Sequence, residues 1–102
     1  MKTLLFLSKF NLGCLPLAEM LSEKDEEVSI VLIQDAICIA LKNSEYSEAT
    51  RHAIEKGVKF HLLEKDVERR GVLNNLISDL ELIDYDRLID LLFREDQRVI
   101  NF

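Results

Sequence analysis

Two cysteines and a few polar residues at the ends of apolar segments are the positions in this 102-residue chain whose types and spacing suit chemistry. Cys14 follows Gly13 and stands two residues before Pro16, a residue suited to the first turn of a helix. A thiol at a helix N-terminus feels the partial positive charge of the aligned peptide dipoles. With Lys9 upstream, that field would lower the thiol pKa and let Cys14 accept or pass on a sulfur atom as a thiolate. Free cysteine also behaves as a small buried hydrophobe, and Cys14 can be read that way beneath Leu12 and Leu15. Cys38, flanked by Ile37, Ile39, Ala40 and Leu41, reads as a core residue. Gln34 and Asp35 close an apolar run, where Asp35 could orient a substrate or a partner's reactive group, or cap the helix that follows. Asp84 and Tyr85 stand at a similar boundary. Glu68, Arg69 and Arg70 beside Gly71 could clamp an acidic group or form a solvated helix end. His52 and His61 show no metal-ligand spacing, and His61 reads as a surface or helix-covered strand residue.

These residues need elements to hold them. Thr3-Leu4-Leu5-Phe6-Leu7 reads as a first strand ending at Ser8-Lys9, followed by a helix from Pro16 to Ser22 with Leu17, Ala18 and Leu21 on one face. The charged run Glu23-Lys24-Asp25-Glu26-Glu27 then returns the chain through solvent. Val28 to Ile33 carries apolar residues on both alternating faces, the pattern of a central strand covered on both sides. A helix from Ala36 through Leu41, capped by Asp35, comes next. Ser47 to Lys56 forms a further helix closed by Gly57, and Val58-Lys59-Phe60-His61-Leu62 alternates as a third strand. Glu64 to Arg70 is a short helix with Gly71 past its end. Leu80 to Ile83 is a fourth strand, and Asp84 caps a last helix. In that helix Tyr85, Leu88, Ile89, Leu92 and Phe93 follow the stripe of a helix packed on a core.

Strands alternating with helices predict an α/β fold: one three-layer domain over residues 1–102, with a parallel four- or five-stranded sheet and helices on both faces. In such sheets, reactive groups gather at the carboxyl ends of the strands. The ends here carry Ser8 through Cys14, Gln34-Asp35, Leu63-Glu64-Lys65 and Asp84-Tyr85.

Composition narrows the function classes. Thirteen Lys and Arg against 19 Asp and Glu give a net charge of −6, with 48% apolar residues, enough for a packed core. The basic residues are scattered among acids, so direct nucleic-acid binding is not expected. No apolar run reaches the ~20 residues that cross a bilayer, and the first seven residues lack the features of a signal segment. A cytoplasmic protein without membrane contact is the expectation. No phosphate loop, dinucleotide turn, Cys-x-x-Cys pair or acidic cluster after the first strand is present. No cofactor and no metal are expected.

Three segments together resemble the DsrH/TusB family of small sulfur-relay subunits. Val31-Leu32-Ile33-Gln34-Asp35-Ala36-Ile37, with Ala40-Leu41 after it, is similar to the family's strand-then-Asp-Gly motif, with Ala36 in place of the glycine. Val58 to Leu63 with Asp66, Arg69, Arg70 and Gly71 is similar to its third strand and Arg-Gly turn. Leu82-Ile83-Asp84-Tyr85 with Leu88 and Leu92 resembles its final strand and helix. The resemblance implies the DsrE/DsrF/DsrH fold and a place in a cytoplasmic hetero-oligomer with homologous DsrE/TusD-like and DsrF/TusC-like subunits. Such complexes pass persulfide sulfur toward 2-thiolation of the transfer-RNA wobble uridine, or serve dissimilatory sulfur oxidation. Any link to RNA would run through a partner enzyme.

Three functions stay open at this stage. Cys14 could take a persulfide from a donor protein and hand it on by thiol exchange. The chain could instead be a non-catalytic subunit whose apolar helix faces complete a hetero-oligomer. It could also be a small homo-oligomeric binding module, unrelated to sulfur, with its site near Asp35.

Overall fold

Branched aliphatic runs with few charges favour extended, doubly covered strands, and three such segments, flanked by two less apolar edge strands, build the sheet in a computed structural model of the protein. Residues 2–11, 13–24 and 27–101 are described. Leu12, expected to cover Cys14, and the Asp25-Glu26 part of the charged return lie outside the described residues, as do Met1 and Phe102. The strands are β1 (Lys2–Leu7), β2 (Glu27–Leu32), β3 (Lys59–Leu63), β4 (Glu81–Ile83) and β5 (Gln97–Asn101). All pairings are parallel and the order is β4-β3-β2-β1-β5, so β2 is the central strand, as the sequence predicts.

Helices α1 (Cys14–Ser22), α2 (Ser47–Glu55), α3 (Glu64–Arg69) and α4 (Tyr85–Leu92) connect the strands, with a 3-10 helix at Gln34–Ala40 between β2 and α2. From β1 to β4 the chain steps one strand at a time in one direction. The connection from β4 must then return across the whole sheet to place β5 beside β1. That reversal puts α4 on the opposite face from α1. Leu5, Leu7, Ile30, Leu32, Phe60 and Leu62 accordingly pack with Ala18 and Leu21 of α1 and Val67 of α3. Leu4, Val31, Leu63 and Ile83 point the other way and pack with Leu88 and Leu91 of α4. Each such fully buried aliphatic side chain contributes about 2 kcal/mol through removal from water.

Glycine closes two helices as expected. Gly57 (φ 98°) donates its N–H to Ile54 O at 2.9 Å, and Gly71 (φ 62°) donates to Glu68 O at 3.1 Å. Such left-handed turns expose no Cβ penalty when the residue is glycine.

Several expectations are corrected. The first helix starts at Cys14, two residues ahead of Pro16, with Gly13 at its cap position and the Gly13 N–H donated to Asn11 Oδ1 at 2.9 Å. The segment after β2 is a 3-10 helix beginning at Gln34, whose φ of 51° is left-handed. Asp35 therefore lies inside the first turn and caps nothing. A fifth strand, which the four- or five-stranded expectation allows but does not place, forms at Gln97–Asn101. The third strand does not alternate between core and solvent either, since Phe60, His61, Leu62 and Leu63 are all buried. Finally, the apolar stripe of the last helix splits: Leu88 is buried and Leu92 half-buried, whereas Tyr85, Ile89 and Phe93 face solvent.

Candidate functional site

The carboxyl ends of β2 and β3 lie side by side, and polar residues leaving them form one cluster. Asp66 of α3 is 4% exposed, and its Oδ2 accepts the backbone N–H of Gln34 at 2.8 Å. A buried carboxyl group needs such donors, and Arg69 Nη1 adds a favourable charge 3.7 Å from Oδ1. The contact fastens the turn after β2 to the helix after β3. Next to it, Arg70 Nη2 meets Asp35 Oδ1 at 2.5 Å. The clamp that the Arg69-Arg70 pair suggested is thus made on the chain's own carboxylates.

Cys38 sits on the same 3-10 helix, half-buried. Burial is the main cause that raises its pKa; the Asp35 carboxylate adds to this and the Arg70 guanidinium opposes it. Thr50 of α2 anchors the far end of that helix through its hydroxyl, donated to Ile39 O at 2.8 Å. Phe10, after β1, packs its ring against Tyr46 with centroids 4.6 Å apart, closing the rim between the first and second connections.

Cys14 occupies the first residue of α1, as the dipole argument requires, but its side chain is fully buried at 0% exposure. Desolvation disfavours the thiolate and pushes the thiol up to about 11, outweighing the hydrogen bond from its own backbone N–H that pulls the other way. The expected lowering is therefore reversed. Starting the helix at residue 14 places Cys14, Ala18 and Leu21 at i, i+4 and i+7 on one buried face, with Leu15 beside them. That spacing was the signal for burial.

Gln34 and Asp35 join Asp66 and Arg70, whereas Asp84 and Tyr85 stand apart at the end of β4, with β3 between them and β2. Two strand spacings, about 10 Å, separate the ends of β2 and β4. Asp84 caps α4 as predicted, its Oδ1 accepting the Arg87 N–H at 2.8 Å. Tyr85 points outward. Among the described residues no group of three or more His, Cys, Asp and Glu could hold a metal ion.

A second polar cluster was not foreseen. His61 is buried in β3 on the α4 side, and neither ring nitrogen has a hydrogen-bond partner, although Nδ1 lies 3.4 Å from Glu81 Oε1 of β4. Burial lowers its pKa; Glu81 opposes the shift, while Arg87 and Lys59 reinforce it. Arg87 Nε lies 3.6 Å from Glu81 Oε1.

The fold and the chain both have relatives. The ychN protein of E. coli superposes with a TM-score of 0.82 at 19% identity, covering 100% of both chains. A protein from Methanobacterium thermoautotrophicum superposes with a TM-score of 0.79 at 13% identity, covering 99% of this chain and 98% of that one. At such identities the likeness shows the fold alone. Protein TusB of Buchnera aphidicola subsp. Baizongia pistaciae is 27% identical over 96 residues, 94% of this chain and 95% of that protein. Protein TusB of Escherichia coli (strain K12) is 33% identical over 75 residues, 74% of this chain and 73% of that one. The family described as DsrH like protein matches residues 12–98, a span that takes in the whole strand-end cluster of Gln34, Asp35, Asp66 and Arg70, and the chain belongs to the DsrH family.

Proposed function

We propose that this chain is a structural subunit of a cytoplasmic sulfur-relay complex, completing the assembly while thiols of homologous DsrE/TusD-like and DsrF/TusC-like subunits carry the sulfur. Family membership supports the relay context. The observation that carries the division of labour is the state of Cys14. A thiol held near pKa 11 is about one part in ten thousand thiolate at neutral pH, and only the thiolate attacks a persulfide. Full burial also denies a donor protein the in-line approach to sulfur that thiol exchange needs.

The carrier reading keeps Cys14 as acceptor and requires α1 to open. The two readings diverge in one experiment. Intact-mass analysis of the wild type, Cys14→Ala and Cys38→Ala after incubation with a cysteine-desulfurase persulfide donor shows whether the isolated chain gains sulfur that a reductant removes. The structural reading predicts no gain on Cys14. Sulfur gained by the wild type and lost in Cys14→Ala would establish the carrier instead. For the destination of the sulfur, likeness to relatives named TusB supports wobble-uridine thiolation over sulfur oxidation.

In this reading the strand-end residues Gln34, Asp35, Asp84 and Tyr85 shape the surface offered to partners rather than perform chemistry. Gln34 and Asp84 set turns, and Asp35 and Tyr85 present exposed groups.

A further inference from the structure

At the amino ends of β3 and β4, away from the strand-end cluster, lies a cavity with no part in the relay role proposed above. β4 pairs with β3 only from His61 onward, so beside Lys59 and Phe60 the incoming chain at Asp79 and Leu80 has not yet joined the sheet. The wedge left there encloses about 370 Å³, within the size range of small-ligand sites. Ile54 of α2, Val58, Phe60 and Leu80 form its apolar wall, and its charged or titratable groups are Lys59, His61, Asp79 and Glu81.

Those side chains offer acceptors and hold their one cation elsewhere. Lys59 Nζ donates to Glu27 Oε1 of β2 at 2.9 Å. Asp79 is exposed and has no ion pair among the described residues. Glu81 is exposed as well, with Arg87 Nε 3.6 Å away. His61 is 5% exposed, and neither ring nitrogen has a hydrogen-bond partner. The Glu81 carboxylate, 3.4 Å from Nδ1, draws the ring proton to that side and leaves Nε2 a buried acceptor. An unpaired buried polar atom is costly, and a ligand donor that reaches it removes the cost. Asp79 and Glu81 repel an anion, and a wholly apolar molecule leaves all three acceptors bare.

We propose that this wedge binds a small organic ammonium ion, whose N–H donors meet Asp79, Glu81 and His61 Nε2 while its apolar body covers Ile54, Val58, Phe60 and Leu80. The site does not depend on the chain being a relay subunit. Its specificity comes from three converging acceptors, and its affinity from the apolar wall.

The test titrates the isotope-labelled full chain with phenethylammonium chloride and follows backbone and histidine-ring signals by two-dimensional NMR. The neutral 2-phenylethanol and the anionic phenylacetate, of similar size, serve as counterparts. Saturable shifts are expected at Gly57, Lys59, His61, Asp79 and Glu81, with the ammonium bound at least about tenfold tighter than either counterpart. Asp79→Asn and Glu81→Gln change exposed side chains and keep the fold, and each should weaken the ammonium by about fivefold. His61→Leu should weaken it as well. Asp90→Asn, the same loss of charge placed on α4, should leave it unchanged. Equal affinity for the alcohol and the ammonium, shifts that map elsewhere, or no saturable shift up to about 20 mM would overturn the proposal. So would full-strength binding by both Asp79→Asn and Glu81→Gln.

Discussion

The carboxylate of Asp66 reaches from α3 to the backbone N–H of Gln34 at 2.8 Å, tying together two turns separated by 32 residues in sequence. Beside it, the Asp35–Arg70 pair is shorter, at 2.5 Å, yet Asp35 has a side chain 80% exposed. Exposure, not distance, decides which contact matters for stability. A buried acceptor removed leaves its donor unsatisfied, whereas an exposed ion pair exchanges freely with water.

Asp66→Ala should therefore destabilise the fold by about 1–3 kcal/mol, and Asp66→Asn, which keeps an acceptor, by less. Asp35→Ala should cost below about 1 kcal/mol. Chemical denaturation of the three variants checks the order, and equal losses at positions 35 and 66 would refute it.

Gln34 holds φ 51° without being glycine. Left-handed backbone strains a side chain with a Cβ by about 1 kcal/mol, while glycine loses more freedom on folding. Gln34→Gly is expected to be neutral or to stabilise by up to about 1 kcal/mol. The same change at Asp79, φ 68°, should gain less, because aspartate tolerates this region. Melting temperatures of the two variants make the comparison.

The pH dependence follows from His61. Its pKa is lowered in the folded chain, chiefly by burial, so the unfolded chain binds a proton at a higher pH than the folded one. Its contribution to stability is present in full above the ordinary histidine value near 6.5 and is lost as pH falls below it through the lowered folded value. His61→Leu removes two ring nitrogens without hydrogen-bond partners and should flatten the stability profile over that window. Equilibrium unfolding of both proteins at a series of pH values measures the difference, and parallel profiles would exclude His61 as its source.

Thiol accessibility separates the two cysteines. Cys38 should be alkylated first in the native protein, and Cys14 only at the rate of opening or unfolding. Mass mapping after timed iodoacetamide treatment reads the order. Rapid labelling of Cys14 in the folded state would contradict its burial.

Much of this architecture was legible in the residues. The doubly apolar Val28–Ile33 run marked the centre of the sheet, and Gly57, Gly71 and Asp84 marked helix boundaries that the structure keeps. The strand Gln97–Asn101 was not visible because an edge strand with only Val99 and Ile100 apolar carries almost no alternation. The stripe of α4 was read as core because periodicity reports apolar faces without saying whether the cover is the chain's own sheet or another molecule. At the strand ends, Gln34 and Asp35 were visible as a boundary, but their partners Asp66 and Arg70 come from another connection. Only the parallel register of β2 and β3 brings them together. Of the two readings of Cys14, the small buried hydrophobe fits the structure: the thiol stands at a helix start, and burial raises its pKa by more than the backbone hydrogen bond lowers it.

The central claim is that this chain builds the relay complex and does not carry its sulfur. Reconstituting the complex with the DsrE-type and DsrF-type subunits, loading it from a persulfide donor and locating the added sulfur by peptide mass spectrometry tests this most directly. The account predicts sulfur on a partner subunit's cysteine, none on Cys14, and unchanged loading with Cys14→Ala. Persulfide on Cys14, with loading lost in Cys14→Ala, would contradict it.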